Sequence, residues 1–223
     1  MILAIDTSGT DCGAALWEDS LIDSIIIAGA LRHNEVLLKL IDRVLYNNEV
    51  KPSDISVVAV SSGPGSFTGL RVGMAVAKGL CLSWSLPLVA VPTLEGLANC
   101  VPFSAGNAMT LMPARATEVY WALFHAEKSE WVSKSSDTVS DIADLAKVCQ
   151  RDLFLYGEGY TKHQDVLDRL FLNRRVTLPE TESLLPLAVA TAKLAADRFL
   201  KGQIDDVMNS EPNYCYSFPR KDS

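Results

Sequence analysis

Apolar runs of strand length alternate along this chain with segments in which apolar residues recur at helical spacing. Residues 2–6 (ILAID) form an apolar run closed by a carboxylate, which predicts a buried strand. Residues 12–18 (CGAALWE) and 21–28 (LIDSIIIA) predict two more strands, joined at Asp19-Ser20 by a polar connection of hairpin length. From 34 to 47 (NEVLLKLIDRVLYN) the period becomes helical, with Asn34 placed to cap the start. The β-branched run 56–62 (SVVAVSS) predicts a strand. A glycine-rich loop, Gly63 to Gly69, follows it and feeds a helix from about Leu70 to Trp84, which Pro87 ends. A strand at 88–91 then leads through Pro92 to a helix beginning near Thr93.

The stretch 101–109 (VPFSAGNAM) combines Pro, Gly and small polar residues and marks the best boundary, dividing the chain into lobes 1–103 and 104–223. Beyond it the pattern predicts strands near 109–113 and 118–125, a polar stretch at 127–138 and a helix over 140–149. A strand at 153–156, a Gly157-Glu158-Gly159 loop and a helix over 162–171 follow. A long helix spans 184–200, and the tail from Asn209 reads as irregular. The sequence shows no internal repeat. Mixed strands followed by alternating helix and strand units indicate an α/β architecture in two lobes.

Composition narrows the function classes. Among 223 residues, 48% are apolar and 21% charged, which excludes a disordered polyelectrolyte. Twenty basic residues against 27 acidic give a net charge of −7, a poor balance for binding nucleic acid alone, since phosphate contacts need clustered Lys and Arg. The five cysteines form no C-x-x-C and are odd in number, as expected of free thiols in a reducing compartment. The N-terminal apolar run is short and lacks a basic n-region, and Lys78 interrupts the longest apolar stretch. The expected setting is cytoplasmic, with no membrane association.

Candidate chemistry is sparse. His33, His125 and His163 show no metal-ligand spacing, and no metal site is expected. There is no G-x-S-x-G nucleophile motif, and the cysteines lie in apolar surroundings that keep thiols inert. Asp6-Thr7-Ser8, between two strands, reads in two ways. The turn could expose N–H groups to a phosphate while the carboxylate holds a metal-bound water, or Asp6 could simply hydrogen-bond the turn. The loop residues Gly63, Gly65, Ser66, Thr68 and Gly69 likewise suit either an anion at a helix N-terminus or a plain strand-to-helix connector. No Lys-Ser/Thr follows the last glycine, so this is not a Walker A loop.

The two helices of the first lobe carry more apolar surface than a surface helix needs. On the 34–47 helix, Val36, Leu37, Leu38, Leu40, Ile41, Val44 and Leu45 cover roughly 200° of the wheel, where about 100° is ordinary. On the next helix Val72, Gly73, Val76 and Leu80 share one face, and Arg71, Met74, Ala75, Lys78 and Leu82 share the other. Either both helices are buried in a layered core or they form an interface with another chain. The small interior of such a lobe favours the interface, with Leu37, Leu38, Ile41, Arg71, Met74, Ala75, Lys78 and Leu82 as its residues.

These same residues carry a family resemblance. ILAIDTS, RHNEVLLKLID, SSGPGSFTGLRVGMAVAKGL and VPTLEGLA, in order over residues 1–100, resemble the TsaB (YeaZ) family of bacterial threonylcarbamoyladenosine (t6A) synthesis on tRNA. The second half matches less closely: Pro113 and Ala116 stand where the family has an acid and an arginine, and Tyr216 stands where arginine is usual. The resemblance implies an actin-like, two-lobed α/β fold of the sugar kinase/heat-shock ATPase superfamily with a reduced second lobe. By fold analogy the 184–200 helix packs back on the first lobe. It further implies a non-catalytic paralogue of TsaD, the transferase that acts on N6 of adenosine 37 in ANN-decoding tRNAs. This chain would pair with TsaD through its first-lobe helices, or with itself when isolated. The ATPase TsaE would join the pair, and tRNA would be met only through the complex. No cofactor is expected on this chain alone, with ATP or ADP at the partner interface left open. A stand-alone actin-like ATPase or small-molecule kinase using Asp6-Thr7-Ser8 is the alternative, and a metallopeptidase is further off for want of zinc ligands.

Overall fold

The computed structural model describes residues 1–30, 32–103, 106–128, 130–148, 153–171, 176–177 and 184–215. Among them the strands form two mixed sheets. The first contains β1 (Ile2–Asp6), β2 (Cys12–Trp17), β3 (Leu21–Ile27), β4 (Val57–Ser61) and β5 (Leu88–Val91), in the order β3-β2-β1-β4-β5. Strands β1, β2 and β3 run antiparallel, while β4 and β5 join parallel to β1. Helix α1 (His33–Asn47) connects β3 to β4, α2 (Phe67–Trp84) connects β4 to β5, and α3 (Thr93–Asn99) leaves β5.

The second sheet repeats this plan with no repeat in sequence. It contains β6 (Asn107–Pro113), β7 (Glu118–Glu127), β8 (Glu130–Ser133), β9 (Thr138–Asp141), β10 (Leu153–Tyr156) and β11 (Val176–Thr177). Its order is β11-β10-β6-β7-β8, with β9 also on β7; β7 is antiparallel to β6, and β10 is parallel to it. Its helices are short: α4 (Leu145–Val148), α5 (Glu158–Lys162) and α6 (Gln164–Leu170). Helix α7 (Leu187–Leu200) is the last helix among the described residues.

Strand periodicity sorts the core into layers. Leu3 and Ile5 of β1 and Val58 and Val60 of β4 face α1 and α2, joining Leu37, Ile41, Val44, Met74 and Ala77. Ile2, Ala4, Val57 and Ala59 face the other way, onto Ala188, Val189, Ala192 and Ala195 of α7. Alanines on both surfaces let that helix lie close to the sheet. Helix α3 bridges to the second lobe, where Leu94, Leu97 and Ala98 pack on Ala108, Tyr120, Ala122 and Phe124. The far side of the second sheet, with Met109, Leu111, Trp121 and Leu155, is covered by Leu145, Tyr160, Leu167 and Phe171.

Several expectations are corrected. Helix α1 begins at His33 with Arg32 in the cap position, so Asn34 is inside the helix and does not cap it. Helix α2 begins at Phe67 because Ser66 Oγ accepts from the Gly69 N–H at 3.2 Å and closes the first turn. The helix expected over 140–149 starts as strand β9, continues as a 3-10 turn at 142–144 and leaves only α4 helical. The polar stretch 127–138 contains β8. Residues 157–159 are the cap and first turn of α5, not a loop. Tyr216 and Cys149 lie outside the described residues.

Candidate functional site

A cleft of about 760 Å³ opens where the β1–β2 turn, the start of α1, the start of α2 and the end of β6 meet. Ser8, Gly9, Thr10, Arg32, Ser66, Thr68, Pro113 and Glu158 line it, so two of the sequence-derived motifs converge here.

Their groups are engaged with one another. Asp6 is 4% exposed, and its Oδ1 accepts from the Ser8 N–H at 3.1 Å and the Ser8 hydroxyl at 2.7 Å. Burial raises its pKa above the usual aspartate value, against the pull of hydrogen bonds from Ser8 and Ser61, and the nearby Glu158 charge raises it further. Thr7 Oγ1 donates to the Gly69 carbonyl at 2.8 Å, and the Ser66 N–H donates to the Ser8 carbonyl at 2.7 Å. Of the two readings of Asp6-Thr7-Ser8, the geometry is that of a carboxylate bonding its own turn.

The glycines of the next motif have the same target. A β-carbon at Gly65 would overlap the Ser8 carbonyl, one at Gly69 the Thr7 carbonyl, and one at Gly73 the Thr7 hydroxyl. Gly69 and Gly73 give the first turns of α2 a bare face on which Thr7 lies, and Gly65, just before the helix, does the same for Ser8. Gly63, at φ +110°, is pressed against the Asn213 carbonyl and donates its N–H to Thr93 Oγ1 at 3.1 Å. The loop is a connector docked on backbone, and Thr68 stays exposed at the cleft.

Glu158 has no counterpart in the expected site. Its Oε1 accepts from the Thr10 N–H at 2.6 Å and the Thr10 hydroxyl at 2.8 Å, joining the lobes. Gly157 and Gly159 let α5 press on the Leu111 backbone, which aims Glu158 across the cleft. A glutamate between two glycines was the only local signal for it. The turn's Thr10 N–H is taken by a carboxylate, Asp6 is bonded to Ser8, and Asp6, Asp11 and Glu158 line one adjoining cavity. Pro113 and Ala116 shape a hairpin turn closed by the Glu118 N–H donating to Arg115 O at 2.7 Å, with no glycine in it.

The family model described as "TsaD: tRNA N6-adenosine threonylcarbamoyltransferase" matches residues 28–221. The tRNA threonylcarbamoyladenosine biosynthesis protein TsaB of Escherichia coli K12 is 30% identical over 96% of this chain and 93% of its own length. The chain belongs to the TsaB (YeaZ) family. The Bacillus subtilis TsaB is 30% identical over 75% of each chain. A Pseudomonas aeruginosa crystal structure, described as similar to the peptidase YeaZ, superposes with TM-score 0.82 at 26% identity, covering 96% of this chain and 99% of its own. The actin-like fold expected of the family is thereby the fold of this chain.

In this TsaB-family protein the expected interface residues separate. Leu37 and Ile41 are buried beneath α1, and Met74 is buried beneath α2, so these three are core residues and not partner contacts. The broad apolar surface of α1 is mostly absorbed by the first sheet, which takes Leu40, Val44 and Leu45 as well. Leu38 remains 51% exposed and Leu82 60% exposed. Arg71, Ala75, Lys78 and Leu82 do share one outward stripe of α2; Met74 sits about 60° from it on the wheel, enough to turn inward. The chain's own tail borders this stripe. Lys78 Nζ donates to the Met208 carbonyl at 3.0 Å, Arg71 Nε donates to Tyr214 Oη at 3.0 Å, and the Arg71 guanidinium lies 3.9 Å over the Phe67 ring.

Among the described residues, His, Cys, Asp and Glu form no metal-holding group, and no helix is long and apolar enough to cross a membrane. His125 Nδ1 lies 2.8 Å from Asn107 Oδ1, and His163 sits between α5 and α6. Cys12, Cys81, Cys100 and Cys215 are free, and burial pushes the Cys12 thiol up to about 12 and Cys81 to about 11.

Proposed function

We propose that this chain serves t6A formation as a non-catalytic scaffold that docks a TsaD-type transferase through the outer face of α1 and α2. In this reading TsaD carries out threonylcarbamoyl transfer to N6 of adenosine 37 in ANN-decoding tRNAs, and this chain holds it in its working assembly. The carrying observation is the outward α2 stripe Arg71, Ala75, Lys78 and Leu82, together with the exposure of Leu38 on α1. Gly79 on the same side faces open space, so Ala75 and Gly79 permit a partner helix to approach closely while the leucines supply apolar area. The engagement of the cleft residues with one another supports a role without chemistry. TsaE joins the pair, tRNA reaches it through the partners, and ATP or ADP is held with the partner. The isolated chain uses the same face for a homodimer.

The test is co-purification of the chain with TsaD of the same organism, with and without ATP, followed by size-exclusion chromatography with light scattering. A complex formed by wild type and lost in Ala75→Glu is the expected result. Absence of a complex under both conditions, or an unchanged complex in the variant, would count against this face. ATP turnover by the purified chain alone would favour the ATPase alternative.

A further inference from the structure

The contact between the β1–β2 turn and α5 is separate from the partner face. Both the N–H and the hydroxyl of Thr10 converge on one carboxylate oxygen of Glu158, at 2.6 and 2.8 Å. Beside them Gly9 has no side chain, and a β-carbon there would overlap that same oxygen. Convergent donors around a space kept free by glycine make an anion cradle. The anion in it belongs to the protein.

The second lobe holds this carboxylate in place. Gly157 and Gly159 sit against the backbone of Leu111 and Met112, and Tyr160 Oη donates to Asp168 at 2.8 Å, tying α5 to α6. Asp6 and Asp11 line an adjoining cavity with Glu158, and its described lining offers an incoming phosphate no cationic side chain. Arg32, a cation on the cleft wall, is paired with Glu35 at 2.8 Å.

We infer that Glu158 is a built-in anion that fills the cradle of the Gly9–Thr10 turn, clamps the second lobe to the first and keeps phosphate-bearing ligands out of the cleft. The cradle itself is competent for a phosphate oxygen once the carboxylate is withdrawn. The nucleotide that the fold class implies is thus excluded by a specific side chain, over and above any loss of motif.

The full-length chain tests this as wild type, Glu158→Ala, Gly9→Ala and the double variant. Hydrogen exchange at the Thr10 amide is the first readout. It should quicken at least about tenfold in Glu158→Ala, the scale of a lost charge-assisted bond. Gly9→Ala should reproduce the increase by expelling the carboxylate, and the double variant should add nothing further. Equal exchange in folded wild type and Glu158→Ala, or additive effects in the double variant, would overturn the clamp. Inorganic phosphate is the probe for the second readout, with the Gly9 and Thr10 amide resonances followed during titration. Millimolar phosphate should shift them in Glu158→Ala and in the short Glu158→Ser, and leave wild type still. A response in wild type, or none in the variants, would overturn the exclusion. Should Glu158→Ala fail to fold, Gly9→Ala carries the first comparison and Glu158→Ser the second.

Discussion

Gly69 of α2 lies so close to the Thr7 carbonyl oxygen that a β-carbon has no room between them, while Thr7 Oγ1 donates back to the Gly69 carbonyl at 2.8 Å. The obstacle is backbone, so rotamer changes cannot relieve it. Gly69→Ala should therefore destabilise the protein by about 1–3 kcal/mol through overpacking. Gly79→Ala, on the same helix, meets open space and should stabilise by about 0.5–1 kcal/mol through helix propensity. Urea unfolding of the two variants measures both. Equal effects would mean that the glycine stripe is not what seats α2.

This pair also explains what the sequence made legible. The unbroken apolar runs of β1 and β4 were readable because each strand buries both faces, one under α1 and α2 and one under α7. The glycine motif was visible, but its purpose was not, because Thr7 and Gly69 are 62 positions apart and only the fold joins them. Glu158 and Thr10, 148 apart, were beyond any local pattern. Strands β8 and β9 escaped because they are short and of their central residues only Trp131 is buried. Periodicity found the apolar excess on α1 and α2 without saying which part the sheet would absorb, and so Leu37, Ile41 and Met74 were assigned to the wrong side.

The neighbours Met74 and Ala75 face opposite environments, which separates folding from docking. Met74 is 4% exposed and packs with Leu37, Ile41 and Val60, whereas Ala75 is exposed. Met74→Asp should cost about 3 kcal/mol or more, because it buries an unpaired carboxylate and opens a cavity. Ala75→Glu should stay within about 0.5 kcal/mol of wild type. Thermal unfolding followed by circular dichroism distinguishes them, and a comparable loss in both would place Ala75 in the core.

Arg198 ties α7 to the start of α3. Its Nη2 meets Glu95 Oε2 at 2.6 Å, and its Nη1 donates to the Ala90 carbonyl at 2.8 Å, with both side chains about a quarter exposed (25% and 29%). Arg198→Ala should destabilise by about 1.5–3 kcal/mol, the range for hydrogen bonds to charged groups, because Glu95 and the Ala90 carbonyl lose their donor together. The double variant Arg198→Ala/Glu95→Ala should recover part of that loss. A purely additive double variant in chemical denaturation would show that the two side chains are not coupled.

Asp137 gives the stability a defined pH dependence. Burial and the nearby Glu95 charge push its carboxyl up to about 6, and Asn213 Nδ2 donates to it at 3.3 Å. A carboxyl whose folded pKa exceeds its unfolded value, about 3.9, binds more protons folded than unfolded between those limits. Stability from this group therefore falls as pH rises from about 4 to 6, and the cost is fully present above that. Asp137→Asn removes the titration and keeps an amide that can still meet Asn213. Discounted for partial exposure to about 1 kcal/mol, the gain over wild type should reach about 2–4 °C in Tm above pH 6.5. That gain should shrink toward zero at pH 4, where wild-type Asp137 is already protonated. Melting curves of the two proteins across this range decide the matter, since a constant offset between them would mean that Asp137 titrates normally.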